Sequence, residues 1–207
     1  MKTLLKLQTS LLGPKGQSSQ LADRFIAQWR RRNPGGRVIT RDLSQDVVPH
    51  LTAERFASFS TAAEVRTAEQ QTVVEYSDAL IDELRSADTI VLAVPMYNFS
   101  VPSTLRSYFD HIARAGVTFR YTANGPEGLL TGKQAYVFIT RGGIHAGAAD
   151  TQTPYLRQFL GFIGIKDVEF VHAEGLAYGD DAREKSLRVA AQTIAHLLPS
   201  EAEAIAA

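Results

Sequence analysis

Thr89-Ile90-Val91-Leu92-Ala93-Val94, closed by Pro95, is the stretch on which the reading of this chain turns. It carries no charge and no apolar–polar alternation, as expected of a strand buried on both faces in the middle of a parallel sheet. Pro95 cannot donate to a strand ladder and ends the run. Toward the amino terminus, residues 51–86 carry a helical pattern in two pieces, the second with Val73, Val74, Tyr76, Leu80, Ile81 and Leu84 along one side. Toward the carboxyl terminus, a helix is expected to start near Pro102-Ser103 and to turn Leu105, Tyr108, Phe109 and Ile112 inward, with proline in its tolerant first turn. A buried strand with a helix on each side in sequence is the βαβ unit.

The same alternation runs to both ends. Residues 3–9 read as a first strand, followed by a loop rich in glycine, proline and serine and then a helix with Leu21, Phe25, Ile26 and Trp29 at helical spacing. That helix should stop at Asn33-Pro34-Gly35-Gly36, before a short strand beginning at Val38-Ile39. Beyond the central strand, residues 117–121 and 124–128 read as an extended excursion around a turn. Residues 135–140 form a fourth strand, 154–163 a helix, 168–172 a fifth strand and 181–198 a final helix, with the tail after Pro199 expected to fray. The class is α/β, with a five-stranded parallel sheet covered by helices on both faces.

Composition limits the function. A chain of 207 residues, 44% hydrophobic, suits one well-buried core, so residues 1–207 are expected to form a single domain. Twenty-two basic residues balance 22 acidic ones, which leaves no net field to attract nucleic acid or an anionic membrane. There is no cysteine, so thiol nucleophiles, thiolate metal sites and redox dithiols are excluded together, and any redox chemistry must come from a bound cofactor. No apolar run approaches the roughly 18 to 20 residues that cross a bilayer, and the first residues are too interrupted for a signal sequence. A soluble, cytoplasmic protein is expected.

In an open parallel sheet, ligands bind beyond the carboxyl ends of the strands, where strand order reverses. Three loops leave those ends. The first, Ser10-Leu11-Leu12-Gly13-Pro14-Lys15-Gly16-Gln17-Ser18-Ser19, joins a strand to a helix, so its amides and the helix terminus could cradle a phosphate with Ser10 and Ser18 donating; the simpler reading is that Ser18 or Ser19 caps the helix. Neither G-x-x-x-x-G-K-[ST] nor G-x-G-x-x-G is present. The second loop, Met96-Tyr97-Asn98-Phe99, sets aromatic groups at the end of the central strand, where they either cover the core or stack on a flat ligand whose polar edge Asn98 could read. The third, Thr140-Arg141-Gly142-Gly143-Ile144-His145, offers two adjacent glycines whose amides can approach a ligand closely, or simply a tight turn. His145 is a candidate proton donor, set against an ordinary structural histidine.

Taken together, Met96-Tyr97-Asn98-Phe99, the run from Gly116 to Tyr121 with Asn124-Gly125-Pro126-Glu127-Gly128, and Thr140-Arg141-Gly142-Gly143-Ile144-His145 closely resemble the bacterial FMN-dependent NADH azoreductases, also described as NADH:quinone oxidoreductases. The resemblance covers nearly the whole chain. It implies a flavodoxin-like fold with strand order 2-1-3-4-5, and a homodimer with its active sites at the interface. By position it implies that Ser10, Gly16, Gln17 and Ser18 hold the FMN phosphate, that Met96, Tyr97, Asn98 and Phe99 line the flavin, and that Thr140, Arg141, Gly142 and Gly143 contact its pyrimidine end. The family often has serine at positions 16 and 140; here Gly16 can offer only its amide, whereas Thr140 keeps a hydroxyl. Tyr121 and Phe162 are implied as an aromatic wall reaching over the substrate site from the partner subunit.

The implied reaction is a ping-pong cycle in which NADH or NADPH reduces the cofactor and a quinone or aromatic azo compound is then reduced. Two rival readings use the same fold. A flavodoxin-type electron carrier normally docks through an acidic surface, whereas this chain is neutral, and it lacks the excursion at residues 117–129. A nucleotide-binding or signalling module would need no redox role. Residues 52–66 carry no motif and border the expected pocket, while Arg120 and Arg141 could bind a 2′-phosphate or form salt bridges.

Overall fold

The computed structural model describes residues 1–145 and 147–198; the tail expected to fray lies outside them. The sheet contains β1 (Thr3–Gln8), β2 (Arg37–Asp42), β3 (Thr89–Pro95), β6 (Gln134–Thr140) and β7 (Asp167–Ala173), in the spatial order β2-β1-β3-β6-β7 with every pair parallel. Between β3 and β6 in sequence, β4 (Phe119–Thr122) and β5 (Gly125–Gly128) form an antiparallel hairpin of their own. The expected order 2-1-3-4-5 therefore holds for the sheet, and the labels differ because the excursion adds two strands.

Among the described residues six α-helices flank these strands, the last of them after β7: α1 (Gln17–Arg32), α2 (Ala53–Ser60), α3 (Ala68–Ser86), α4 (Ser103–Ile112), α5 (Thr153–Phe162) and α6 (Asp180–Leu197). All seven residues of β3 are buried, as its uniformly uncharged sequence requires. Because successive strand side chains point to opposite faces, β3 supplies two cores. Ile90, Leu92 and Val94 pack with Leu80, Leu84, Leu105, Phe109 and Leu160 from α3, α4 and α5. Val91 and Ala93 pack with Phe25, Trp29 and Ile194 from α1 and α6.

Local signals account for the helix starts. Thr67 and Gln70 close a reciprocal capping box at α3, and the Thr52 hydroxyl accepts from the Arg55 amide at α2. By contrast, α1 has Gly16 at its N-cap and no side-chain cap, at the end of the loop that follows β1. Strand order reverses between β1 and β3, so the crevice expected for a ligand lies where the loops after those strands meet α1.

Candidate functional site

The first loop is tightly wound. The Ser10 carbonyl accepts from Gly13 N (2.9 Å), the Ser10 hydroxyl accepts from Leu12 N (3.2 Å), and Gly16 N donates to Gly13 O (3.1 Å). A Cβ on Gly16 would stand 2.2 Å from Ser10 Oγ, so only glycine lets the loop close onto that serine. The expected alternative, a helix cap from Ser18 or Ser19, is overturned: both serines lie inside the first turn of α1. Their hydroxyls are buried, and neither finds a partner among the described residues. An unbonded buried hydroxyl costs on the order of 1–3 kcal/mol, and the leading amides of α1 lack helical acceptors. Uncapped amides, a positive helix end and two unpaired hydroxyls thus fall within the first turn of one helix, the kind of place that favours an anion.

The second loop is strained and fastened at several points. Tyr97 and Ser100 exchange amide–carbonyl bonds of 3.1 and 3.0 Å, and between them Asn98 (φ 48°) and Phe99 (φ 63°) are both left-handed. Two consecutive non-glycine residues in that region are uncommon and need surroundings that hold them. Tyr97 Oη accepts from Leu11 N (3.1 Å), which ties this loop to the first. Phe99 stays 69% exposed at the rim, with the His145 ring edge-on to it at 5.8 Å. Sequence reasoning missed Thr104 in the first turn of α4, whose buried hydroxyl also lacks a partner among the described residues.

The third loop is held by a fourth that the sequence did not single out. The carbonyls of Arg141, Gly142 and Gly143 accept from the amides of Leu176 (3.1 Å), Ala177 (3.0 Å) and Gly175 (2.9 Å). Among the described residues the amides of Gly142 and Gly143 have no acceptor, so they remain available to a ligand. Arg141 is only 1% exposed, and its three guanidinium nitrogens are engaged by Gln152 Oε1 (3.0 Å), Glu174 Oε1 (2.9 Å) and Asp150 Oδ1 (2.5 Å). Its amide donates to Ala173 O and its carbonyl is taken by Leu176, so the expectation that Arg141 touches a cofactor does not fit its geometry. Thr140 is buried at the end of β6, its carbonyl accepting from Met96 N (2.8 Å). His145 donates its backbone amide to Glu174 (2.9 Å) and rests its ring against Gly143.

Burial on its own raises the Asp150 carboxyl, but bonds from the Thr153 hydroxyl and amide and from Arg141 outweigh it and bring it down to about 2. Arg120, the other candidate for a 2′-phosphate, pairs with Glu127 across the hairpin (2.8 Å).

Tyr121 and Phe162 are elsewhere. Phe119 bridges them, 5.5 Å from Tyr121 and 4.3 Å from Phe162 between ring centroids, where the hairpin meets the carboxyl end of α5. Since α5 begins near the carboxyl ends of the strands and runs back, this aromatic group sits toward the opposite rim of the same chain. A cavity of about 1090 Å³ also opens there, lined by Lys2, Asp88, Gln134 and Asp167 at the strand starts. The α1 and α5 carboxyl ends point toward that rim and disfavour a phosphate, and none of the buried unpaired hydroxyls lines it. The uncapped start of α1, with its buried unpaired hydroxyls, is the better candidate for a phosphate.

Comparison with known proteins agrees with this fold. A family model described as flavodoxin-like fold matches residues 1–198. A protein of Cellvibrio japonicus named FMN-dependent NADH:quinone oxidoreductase is 57% identical over 180 residues, covering 86% of this chain and 90% of that protein. One of the same name from Burkholderia thailandensis is 55% identical, covering 94% and 99%. Among solved structures, an azoreductase from Bacillus anthracis superposes with TM-score 0.88 at 26% identity over 96% of this chain and 99% of that one. A B. anthracis FMN-dependent NADH-azoreductase in complex with FMN gives 0.84 at 25% identity, covering 96% and 100%. The chain thus belongs to the flavodoxin-like fold family, within the group of bacterial FMN-dependent NADH:quinone oxidoreductases and azoreductases.

Proposed function

We propose that the chain is an FMN-dependent reductase that takes electrons from NADH and delivers them in pairs to quinones, and in two successive rounds to aromatic azo compounds. The observation that carries this reading is the pair of buried, unpartnered Ser18 and Ser19 hydroxyls at the uncapped start of α1, beside a glycine that admits Ser10. They fit a phosphate, and the names of the close relatives specify FMN. Bound there, FMN would supply the hydride chemistry that a cysteine-free chain cannot perform with its own side chains.

The rest of the work falls to the protein. Ser10, Gly16, Gln17, Ser18 and Ser19 hold the phosphate; Met96, Tyr97, Asn98 and Phe99 line one side of the ring; the Gly142 and Gly143 amides stabilise negative charge at its polar edge, together with Thr140 at the strand end. Arg141 acts behind this surface, fixing the loop without touching the ring. Tyr121 and Phe162 come from a second copy of the chain, because in one copy they lie toward the other rim. His145 remains the candidate proton donor, placed beside Gly143 and Phe99. Donor and acceptor use the one open face in turn, which gives ping-pong order: NADH with a proton and a quinone yield NAD⁺ and a hydroquinone. Two such rounds convert an azo bond to two amines.

NADH is preferred to NADPH, since Arg120 and Arg141, the arginines offered by the sequence for a 2′-phosphate, are both committed to ion pairs. Purified protein should be yellow, bleach with NADH without oxygen and recolour on adding a quinone, with parallel initial-rate lines and kcat/KM at least tenfold higher for NADH. A colourless protein that takes up no FMN would overturn the cofactor reading, and intersecting lines would overturn the ping-pong order.

A further inference from the structure

We propose that Gln152 is a positioning residue: fully buried between Arg141 and the Tyr97–Ser100 turn, its carboxamide holds the strained aromatic turn in register with the glycine loop. The consequence for the cofactor rests on the FMN reading above, whereas the geometry stands without it.

Every part of the carboxamide is used. Gln152 Oε1 accepts from Arg141 Nε (3.0 Å), while Nε2 donates to the carbonyls of Pro95 (3.2 Å) and Ser100 (3.3 Å). Those two carbonyls bracket the turn, and between them lie the left-handed Asn98 and Phe99. Such a backbone persists only where its surroundings hold it. The neighbouring Thr151 hydroxyl donates to the Phe99 carbonyl inside the same turn. On the other side, Asp150 and Glu174 hold the remaining guanidinium nitrogens of Arg141, and Glu174 also takes the His145 amide. The three residues 150–152 thereby connect the loop after β3 to Arg141 in the loop after β6, Glu174 ties in the loop after β7 through the same arginine, and Gln152 carries the link from the arginine to the turn.

The position demands one acceptor facing a cation and two donors facing carbonyls, and glutamine supplies both without net charge. Glutamate has the same shape and would still accept from Arg141, but its second oxygen would face the Pro95 and Ser100 carbonyls with negative charge. Gln152→Glu therefore breaks the link at the turn while keeping it at the arginine. Gln152→Met removes both ends at similar volume and serves if the charged variant fails to fold.

The test begins on the apoprotein, by amide hydrogen exchange. Gln152→Glu should speed exchange at Tyr97 and Ser100 at least tenfold and leave β3 and β6 unchanged. After FMN is added, its dissociation constant, read by fluorescence titration, should rise about tenfold. The two-electron midpoint potential of the bound cofactor should move by about 30 mV, equivalent to a tenfold change in relative affinity for its two redox states. A merely structural glutamine would lower the melting temperature and raise exchange throughout, with the potential unmoved; that result, or unchanged exchange at Tyr97 and Ser100, overturns the proposal. Wild-type protein that binds no FMN would overturn the function proposed above, and exchange at the turn would still decide whether Gln152 holds it.

Discussion

Ser18 shows what a single atom can disclose. Its hydroxyl is buried with no partner among the described residues, so removing it from the apoprotein loses no hydrogen bond seen there and relieves a desolvated group. Ser18→Ala should therefore leave apoprotein stability unchanged or raise it by about 1 kcal/mol, and should weaken FMN binding about tenfold. Denaturant unfolding and fluorescence titration read the two signs separately; a loss of both together would mean the serine is merely structural. Asp150 is the opposite case, a group whose bonds are satisfied within the fold. Its carboxyl titrates near 2 against an ordinary 3.8, so the ionised form is favoured by folding. The stabilisation is present above the ordinary value and lost as pH falls from about 4 through 2. Wild-type protein should lose about 1–2 kcal/mol over that window beyond what Asp150→Asn loses, after allowing for partial solvent access. Acid unfolding monitored by circular dichroism makes the comparison.

Among the elements, the β4–β5 hairpin depends on backbone contact that no side-chain pattern signals. A Cβ on Gly128 would lie 2.0 Å from Gly164 N, and Leu130 N donates to Ile163 O (2.9 Å) in the same junction. Gly128→Ala must push the hairpin off the α5–β7 turn, which also carries Phe119 away from Phe162. It should cost at least about 2 kcal/mol and open the hairpin to limited proteolysis, measurable by denaturant melts and by mapping the first cleavage sites. Equal resistance in the variant would show that the junction is soft. The sequence led only to an extended excursion at residues 117–129, because its strands lack apolar alternation: Arg120, Tyr121 and Thr122 are all exposed. Helices were more legible. The apolar stripes of α1 and α4 gave their buried faces directly, since 3.6-residue periodicity is a local property.

On the scale of the whole molecule, the groups proposed to form one site sit toward opposite rims of one chain, and a second copy would bring them together. A direct test mixes two inactive variants, Gly16→Ala and Tyr121→Ala, under conditions that exchange subunits. In a mixed dimer one site receives an intact phosphate loop from one chain and an intact tyrosine from the other. Activity should reappear on mixing, toward a quarter of the wild-type level for random pairing, and sedimentation should give about twice 22.7 kDa. No recovery, or a monomer that remains active, would place both halves in one chain. Among the described residues no helix is long and apolar enough to cross a membrane.

Sequence by itself determined what is written in local pattern: the uninterrupted burial of β3, the alternation of strands with helices, and the buried faces of those helices. Each follows from side-chain periodicity or from glycine and proline at fixed places, which neighbours in sequence suffice to define. Only the tertiary structure decided that Ser18 and Ser19 are unpaired rather than capping, that Arg141 is a buried tie rather than a ligand, that Gln152 and Glu174 brace the loops, and that Tyr121 and Phe162 sit toward the far rim. Those outcomes depend on which groups from distant segments meet inside the fold, where a hydrogen bond or its lack is settled by packing among residues far apart in the chain.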